Sequence, residues 1–333
     1  MKILFPLFAV IALVLLAFVG VQVGNLHFLF GVIVPYAALA VFIIGFISRV
    51  VGWGRSPVPF CIPTTAGQQK SLPWIKQNKL DNPSSKLGVI GRMALEVLVF
   101  RSLFRNTTTE MKEGTKLVYG SEKFLWAAGL AFHWSFLIIF VRHFRFFMED
   151  VPSVLQMIEG VDSFFQVGAP LMYMTDLVLL GAVTFLILRR LYMPLIKYIS
   201  LPADYFVLFL IFGLGASGVL MRYFMKVHIV GVKQLVMGLI SFNPAPASVM
   251  GEIGVIFYIH LFLLSTLLAY FPVSKLMHMG GVFLSPTRNM PGNSREFRHV
   301  NPWNYPVHVH SYEEYENDFR EKMKKAGLPV EKE

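Results

Sequence analysis

The sequence predicts an all-α integral membrane protein, from its composition and from the arrangement of its apolar residues. Of its 333 residues, 55% are hydrophobic and 15% are charged, whereas a soluble domain carries about 25% charged residues. The mean hydropathy is +0.58. The apolar residues form long continuous runs and do not alternate with polar ones, which is typical of membrane-spanning helices.

Six apolar runs predict about six transmembrane helices. Each run approaches the roughly 20 residues that a helix needs to cross the hydrocarbon core. The first run carries no charge between Lys2 and Arg49, so it is long enough for two spans and does not resemble a cleaved secretory signal. The predicted spans are Ile3–Gln22, Phe28–Ser48, Phe124–Phe147, Val167–Leu188, Tyr205–Met221 and Ile253–Met277.

Polar regions divide the chain into four predicted segments. These are two N-terminal transmembrane helices (1–48), a cytoplasmic insert (49–123), a core of four transmembrane helices (124–278) and a cytoplasmic tail (279–333). In the insert, Lys86–Arg105 predicts a helix that either lies at the membrane interface or docks onto a partner protein. In the tail, V307-H-V-H310 offers two imidazoles to a metal ion, although we favour a solvated tail there.

The charges and the single cysteine exclude several classes of protein. The net charge of +10 follows the loops between spans, which indicates membrane orientation and not nucleic-acid binding. Cys61 is the only cysteine. The chain therefore has no disulfide framework, no iron–sulfur cluster of its own and no CxxCH haem attachment.

Lysines and arginines near the span ends predict the orientation, because cytoplasmic loops are enriched in them. The richer side places both termini in the cytoplasm, as an even number of spans requires, and we expect a bacterial or archaeal cytoplasmic membrane. That side carries Lys2, Arg49, Arg55, Lys112, Lys116, Lys123, Arg189, Arg190, Lys197, Lys275 and Arg288. The other side carries Arg142, Arg145, Arg222, Lys226 and Lys233.

Four histidines in two predicted spans indicate a haem-binding bundle. His133 and His143 belong to the third span, while His260 belongs to the sixth and His278 follows directly at its end. These spans are antiparallel, so depth matches His143 with His260 near the outer face and His133 with His278 near the inner face. Two bis-histidine b-type haems require such pairs, with a neutral imidazole on each side of each iron.

The spacing along the two spans does not fit two simply stacked haems. At 1.5 Å per residue, His133 and His143 are about 15 Å apart along the helix axis, while His260 and His278 are about 27 Å apart. Tilt and a kink near Pro272 would have to absorb the difference. Eighteen residues are five helical turns, so His260 and His278 are expected on one face of the sixth span, whereas His133 and His143 are roughly 80° apart around the third. The alternative is that the four are polar bundle residues bonded to neighbouring helices, but two pairs that agree in depth favour iron ligands.

Histidines ten residues apart on one span and eighteen apart on a second, antiparallel span resemble those of the cytochrome b subunits of membrane-bound nitrate reductases. Two stretches are more similar still to the cytochrome b (M) subunits of the dissimilatory sulfite-reduction (Dsr) membrane complex. They are I62-P-T-T-A-G-Q-Q-K-S-L-P-W-I-K76 and G91-R-M-A-L-E-V-L-V-F-R-S-L-F-R105. The nitrate reductase subunits have five spans, so the predicted sixth span and the insert depart from that pattern.

The resemblance implies a subunit of a quinone-linked oxidoreductase complex that holds two haem b groups. It would exchange electrons with menaquinone or menaquinol and with a cytoplasmic iron–sulfur partner, in an anaerobic respiratory complex of sulfite or sulfate reduction. The residues alone leave two other classes open, a cofactor-free transporter and a membrane anchor for a soluble enzyme.

Three further polar residues are candidates for the same chemistry. Arg142 and Arg145 flank His143, where a guanidinium could pair with haem propionates or with a quinone oxygen, or could simply snorkel at the span end. Asp176 is expected a third to a half of the way into the fourth span. It is either a proton relay for quinone chemistry or, as we favour, a neutral carboxyl bonded to neighbouring backbone.

Overall fold

The computed structural model describes residues 2–56, 67–112, 116–164, 166–294 and 308–332. Five described helical segments are long and apolar enough to cross a membrane, which confirms the all-α membrane class. They are Leu4–Gln22, Leu29–Gly54, Lys123–Phe147, Pro202–Met225 and Val255–Val273.

The helices and strands follow one another along the chain from the N-terminal spans to the tail. The first part contains α1 (Leu4–Gln22), α2 (Val34–Gly54), α3 (Lys86–Val99), α4 (Arg101–Phe104), β1 (Thr107–Lys112), β2 (Lys116–Ser121), α5 (Lys123–His143), α6 (Ser153–Phe164) and α7 (Met174–Tyr192). The second contains α8 (Pro194–Ile199), α9 (Pro202–Val219), α10 (Ile229–Ile240), α11 (Ala247–Glu252), α12 (Val255–Tyr270), α13 (His278–Leu284), α14 (Pro286–Asn289) and α15 (Tyr312–Lys325).

The fourth predicted span, Val167–Leu188, differs from the helix that forms there. Val167 pairs with Met172 in a short antiparallel bridge, and α7 begins only at Met174. It carries Asp176 in its first turn and two arginines in its last turn, so it is not among the five apolar segments. The predicted depth of Asp176, a third to a half of the way into the span, was wrong. Asp176 lies in the first turn of α7, because the helix begins later than the apolar run.

Ion pairs at both ends align α7 with α5. Near one end, Arg142 Nη1 lies 3.5 Å from Asp176 Oδ1. Near the other, Arg189 Nη2 lies 3.1 Å from Glu122 Oε2, just before α5. The two helices therefore run antiparallel along their whole length, and α7 extends as far through the bundle as α5 does.

Helix α12 lies at the centre of the bundle, where it packs against α1, α2 and α9. Its Tyr258 and Leu263 are fully buried, and in a membrane such side chains stabilise the bundle through van der Waals packing against neighbouring helices. The turn that follows α12 approaches α2 closely at Gly45, because a Cβ there would lie 2.6 Å from Pro272 Cβ. The two N-terminal helices are thus packed into the same bundle as the predicted four-helix core.

The sixth predicted span, Ile253–Met277, is not one continuous helix. Its α-helix ends at Tyr270, 3-10 turns follow around Pro272, and Ser274 adopts an extended backbone. His278 then begins the separate helix α13. The expectation that His260 and His278 share one helical face was therefore wrong, and the 27 Å separation does not apply.

The insert folds onto the N-terminal part of α5. Phe100 has a left-handed backbone (φ 51°) that separates α3 from α4, so the predicted single helix Lys86–Arg105 is broken there. The indole nitrogens of Trp126 and Trp134 donate to the carbonyls of Val99 and Leu98, which would otherwise be unsatisfied at the end of α3. The antiparallel hairpin of β1 and β2 was not predicted.

Charged side chains connect parts of the insert with one another and with α14. Arg92 is buried and donates to the carbonyls of Asp81 and Thr287, which ties α3 to α14. Burial raises the pKa of the Asp81 carboxyl, but hydrogen bonds from Arg105 and Asn78 and the charges of Arg101 and Arg105 outweigh it and hold the pKa below its usual value. Cys61 lies outside the described residues.

Candidate functional site

The outer pair of histidines, His143 and His260, lies between α5 and α12. Their ring centroids are 6.3 Å apart, and the ring planes are nearly parallel at 9°. His143 is the last residue of α5, and His260 lies in the first half of α12. The depth argument made from the sequence predicted this pairing.

The inner pair, His133 and His278, lies toward the other end of the bundle. The two ring centroids are 6.0 Å apart, with the planes at 80°. Phe100 of the insert and Phe132 contact the His133 ring edge-on, each with ring centroids 4.9 Å apart. The break after α12 places His278 opposite His133, because α13 starts at that residue.

All four imidazoles have their Nδ1 atom engaged. Nδ1 of His133, His143 and His278 lies 2.7, 2.7 and 2.8 Å from a backbone carbonyl three or four residues earlier in the chain. A carbonyl only accepts hydrogen bonds, so Nδ1 carries the proton and Nε2 keeps its lone pair. A metal-bound histidine typically shows the same tautomer, with its second nitrogen hydrogen-bonded.

His260 differs from the other three because its Nδ1 partner comes from another helix. Ser217 Oγ of α9 lies 3.0 Å from Nδ1 and donates its own proton to the Leu214 carbonyl, also at 3.0 Å. Nδ1 of His260 is therefore the donor to Ser217. Beside it, a Cβ on Gly218 would lie 3.3 Å from His260 Cε1, so the glycine lets α9 approach the ring closely.

The spacing of both pairs fits an iron atom between each pair of rings. A ring nitrogen lies about 1 Å from its ring centre, and it bonds a first-row metal ion at about 2 Å. Two axial imidazoles on one iron therefore have ring centres about 6 Å apart. Rotation about each metal–nitrogen bond is free, so plane angles of 9° and 80° are both compatible.

A buried charged cluster lies beside the outer pair. Arg142 Nη1 donates to Asp162 Oδ2 at 2.5 Å and to Asp176 Oδ1 at 3.5 Å. Asp162 also accepts hydrogen bonds from the backbone N–H and hydroxyl of Thr175, and Asp176 accepts from the Tyr223 hydroxyl at 2.6 Å. Arg142 is thus bound to carboxylates and does not snorkel at the span end. The carboxyl group of Asp176 is bonded to the side chains of Arg142 and Tyr223, whereas the sequence analysis favoured a bond to neighbouring backbone.

Arg145 belongs to a second, more exposed group at the same end. Its Nη1 donates to both carboxylate oxygens of Glu159, at 2.6 and 2.9 Å. Arg222 Nη2 lies 3.7 Å from the same carboxylate, and the Tyr173 ring stacks against Arg222 at 4.3 Å. The side chains of Arg145 and Arg222 remain 39% and 41% exposed, so a ligand at this end can reach them.

Sequence reasoning missed the acidic partners and the hydroxyl groups of this end. Glu159 and Asp162 are three residues apart on α6, a helix that was not predicted. The sequence signal that would have indicated Glu159 and Asp162 is a pair of acidic residues between two predicted spans, shortly after two arginines at a span end. Ser217 and Tyr223 carry no such signal, because their roles depend on how α9 packs against α12 and α7.

Comparison with known proteins places these residues in a described family. Residues 88–289, which include all four paired histidines, match the nitrate reductase gamma subunit family. An Hdr-like menaquinol oxidoreductase cytochrome b-like subunit of Archaeoglobus fulgidus is 46% identical over 83% of each chain. Its counterpart in Archaeoglobus profundus is 40% identical over 81% of each chain.

Proposed function

Because the chain belongs to the nitrate reductase gamma subunit family, we propose that it is a di-haem cytochrome b subunit for quinone-linked electron transfer in the cytoplasmic membrane. The observation that carries the proposal is the spacing of the two histidine pairs, 6.3 and 6.0 Å between ring centroids. A cofactor-free transporter or a simple membrane anchor has no need for four imidazoles placed in this way.

His143 and His260 would hold the outer haem b, and His133 and His278 the inner one. A bound haem accepts and releases one electron at a time. The chain supplies the rest: Nδ1 partners orient each ring, and phenylalanine rings contact the imidazoles of His133 and His143. Hydrogen bonds to the ligands and the side chains around the metal set the potential at which it is reduced.

We infer that the outer end binds menaquinol, the substrate in the names of both relatives. Quinol oxidation releases protons together with electrons, so an acceptor must lie nearby. Asp176 is a candidate, because its Oδ2 already accepts the Tyr223 hydroxyl proton in a hydrogen bond. The partly exposed guanidinium of Arg145 can polarise a quinol oxygen or bind a haem propionate while it stays bonded to Glu159. Arg142 is a weaker candidate for binding a propionate than Arg145, because its carboxylate partners are buried.

The inner pair lies next to the insert, so we propose that the electron partner binds at that face. Both relatives are subunits, and this chain is likewise a component of a multi-subunit complex. An iron–sulfur protein on the cytoplasmic side would exchange electrons with the inner haem. The cation distribution supports a cytoplasmic location for both termini, and the resemblance to the sulfite-reduction subunits supports sulfite or sulfate as the distant acceptor.

Replacing Arg145 with glutamine tests the quinol site. We expect the haems of the Arg145→Gln protein to be reduced at least about tenfold more slowly by a menaquinol analogue, since a charged hydrogen bond contributes about 1.5–3 kcal/mol. Stopped-flow absorbance in detergent measures the rate. Lys233→Gln is the matched control at the same end, where the lysine donates to the Glu149 carbonyl. Equal rates for both variants would remove Arg145 from the site.

Replacing Ser217 with alanine tests the assignment of His260 as a ligand. Without its acceptor, Nδ1–H makes the imidazole a poorer donor to ferric iron, so the potential of one haem should rise by about tens of millivolts. A hydrogen bond contributes about 1 kcal/mol. For a one-electron couple, a tenfold change in the equilibrium constant of reduction corresponds to about 59 mV. Redox titration of the absorbance measures the shift.

Ser265→Ala is the control, because Ser265 is equally buried on α12 but donates to the carbonyl of Leu261 on its own helix. Ser217→Thr keeps the hydroxyl and should restore the original potential if the added methyl is accommodated. Identical titrations for Ser217→Ala and Ser265→Ala would contradict the role of Ser217.

A further inference from the structure

We propose that the C-terminal tail holds a second kind of metal site, built from His308, His310 and Glu314 and independent of the haems. One ligand atom from each of these residues lies within 4.8 Å of the others. All three are exposed, so they are accessible to ions in solution. The proposed occupant is a divalent first-row transition ion, with Zn²⁺ as the probe.

The backbone brings the two imidazoles together. His308 and His310 are two residues apart in a non-helical stretch that leads into α15, and alternate side chains of an extended chain point to the same side. Their ring centroids are 4.9 Å apart. Neutral imidazole nitrogens suit Zn²⁺, Cu²⁺ and Ni²⁺, and they are poor ligands for Mg²⁺ or Ca²⁺.

The N-terminal cap of α15 positions the third ligand. Ser311 accepts the Glu314 N–H through its hydroxyl, and Glu314 Oε2 accepts the Ser311 N–H at 2.9 Å. This reciprocal arrangement turns the carboxylate back toward the residue that follows His310. The second carboxylate oxygen remains for a metal ion, so the cap fixes one ligand before any ion binds.

One neighbouring carboxylate favours a cation at this group. Glu313 and Glu316 are paired with Lys332 and Arg320, whereas Asp318, in the same half of α15 as Glu314, is exposed. Asp318 Oδ2 lies 4.0 Å from His310 Nδ1, where a carboxylate can orient a metal-bound imidazole. Two histidines and one glutamate leave the fourth position of a tetrahedral ion for water or a partner's side chain.

Binding requires only small movements of exposed side chains. Tetrahedral ligands at about 2.0–2.2 Å from Zn²⁺ are about 3.5 Å from one another, compared with the 4.8 Å limit here. The ion would connect the stretch before α15 to its first turn. It would therefore order the part of the tail that leads into α15.

Zinc binding by the full-length haem-loaded chain, without a polyhistidine tag, tests the proposal. After chelator treatment and dialysis against Zn²⁺, elemental analysis should find about one zinc more per chain in the wild type than in the His308→Ala, His310→Ala double variant. His228→Ala removes an exposed histidine beside Glu252 and is the matched control, which should bind as the wild type does. Equal zinc content in the wild type and the double variant would overturn the proposal.

A second variant separates ligation from helix capping. Glu314→Gln can still accept the Ser311 N–H but lacks the negative charge, so we expect zinc affinity by calorimetry to fall at least tenfold while the helix remains capped. An affinity equal to that of the wild type would remove Glu314 from the ligand set. Haem absorbance should be the same in every tail variant, which distinguishes failure here from failure of the haem assignment.

Discussion

Replacing His260 with alanine is expected to remove one of two haems and leave the other in place. The imidazole is half-buried where α12 packs against α9, and its ring centroid lies 6.3 Å from that of His143. Without it the outer haem would lose one of the two imidazoles that would hold it. Haem content should fall from about two per chain to about one, as measured by the pyridine haemochrome assay.

The remaining haem reports that the variant is folded. His143→Ala should give the same spectrum as His260→Ala, because both variants lose the same haem. His133→Ala should lose the other haem, and a different component of the redox titration should disappear. His228→Ala is the control and should keep both. If His260→Ala and His143→Ala lost different haems, the pairing would be wrong.

Replacing Arg142 with glutamine is expected to cause the largest loss of stability. Its guanidinium is the shared partner of Asp162 and Asp176, and its side chain is 7% exposed. Removing one partner of a buried ion pair costs about 3–5 kcal/mol, because it leaves an uncompensated charge. The free energy of unfolding in detergent, from denaturant titration, measures the loss.

Arg145→Gln is the comparison, since Arg145 is partly exposed and bonded to Glu159; exposed pairs contribute about 0–1 kcal/mol. Adding Asp162→Asn to Arg142→Gln should recover part of the stability by removing one buried negative charge. Arg142→Gln protein as stable as Arg145→Gln protein would show that the cluster is not held by its charge balance.

The sequence was sufficient to predict which histidines meet, because span order and depth are properties of the apolar pattern. His133 and His143 lie on one span and His260 and His278 near the next antiparallel one, so only two pairs agree in height. The same reasoning failed for the distance between His260 and His278. It assumed one helix, whereas the backbone leaves helical geometry around Pro272 and Ser274.

Residues whose roles depend on packing between helices were not predictable. Ser217 is a common residue of apolar helices, and only the approach of α9 to α12 places it at Nδ1 of His260. Asp162 was missed because α6 is too short and too polar to register as a span. Asp176 was noticed as an acid within an apolar run, but its partners Arg142 and Tyr223 depend on the fold.

The haem content of the purified wild-type chain tests the central claim most directly. The four imidazoles and their spacing predict about two haems per chain and a b-type reduced-minus-oxidised spectrum with two components in a redox titration. A folded chain that binds no haem, both as isolated from its native membrane and after incubation with haem, would contradict the account.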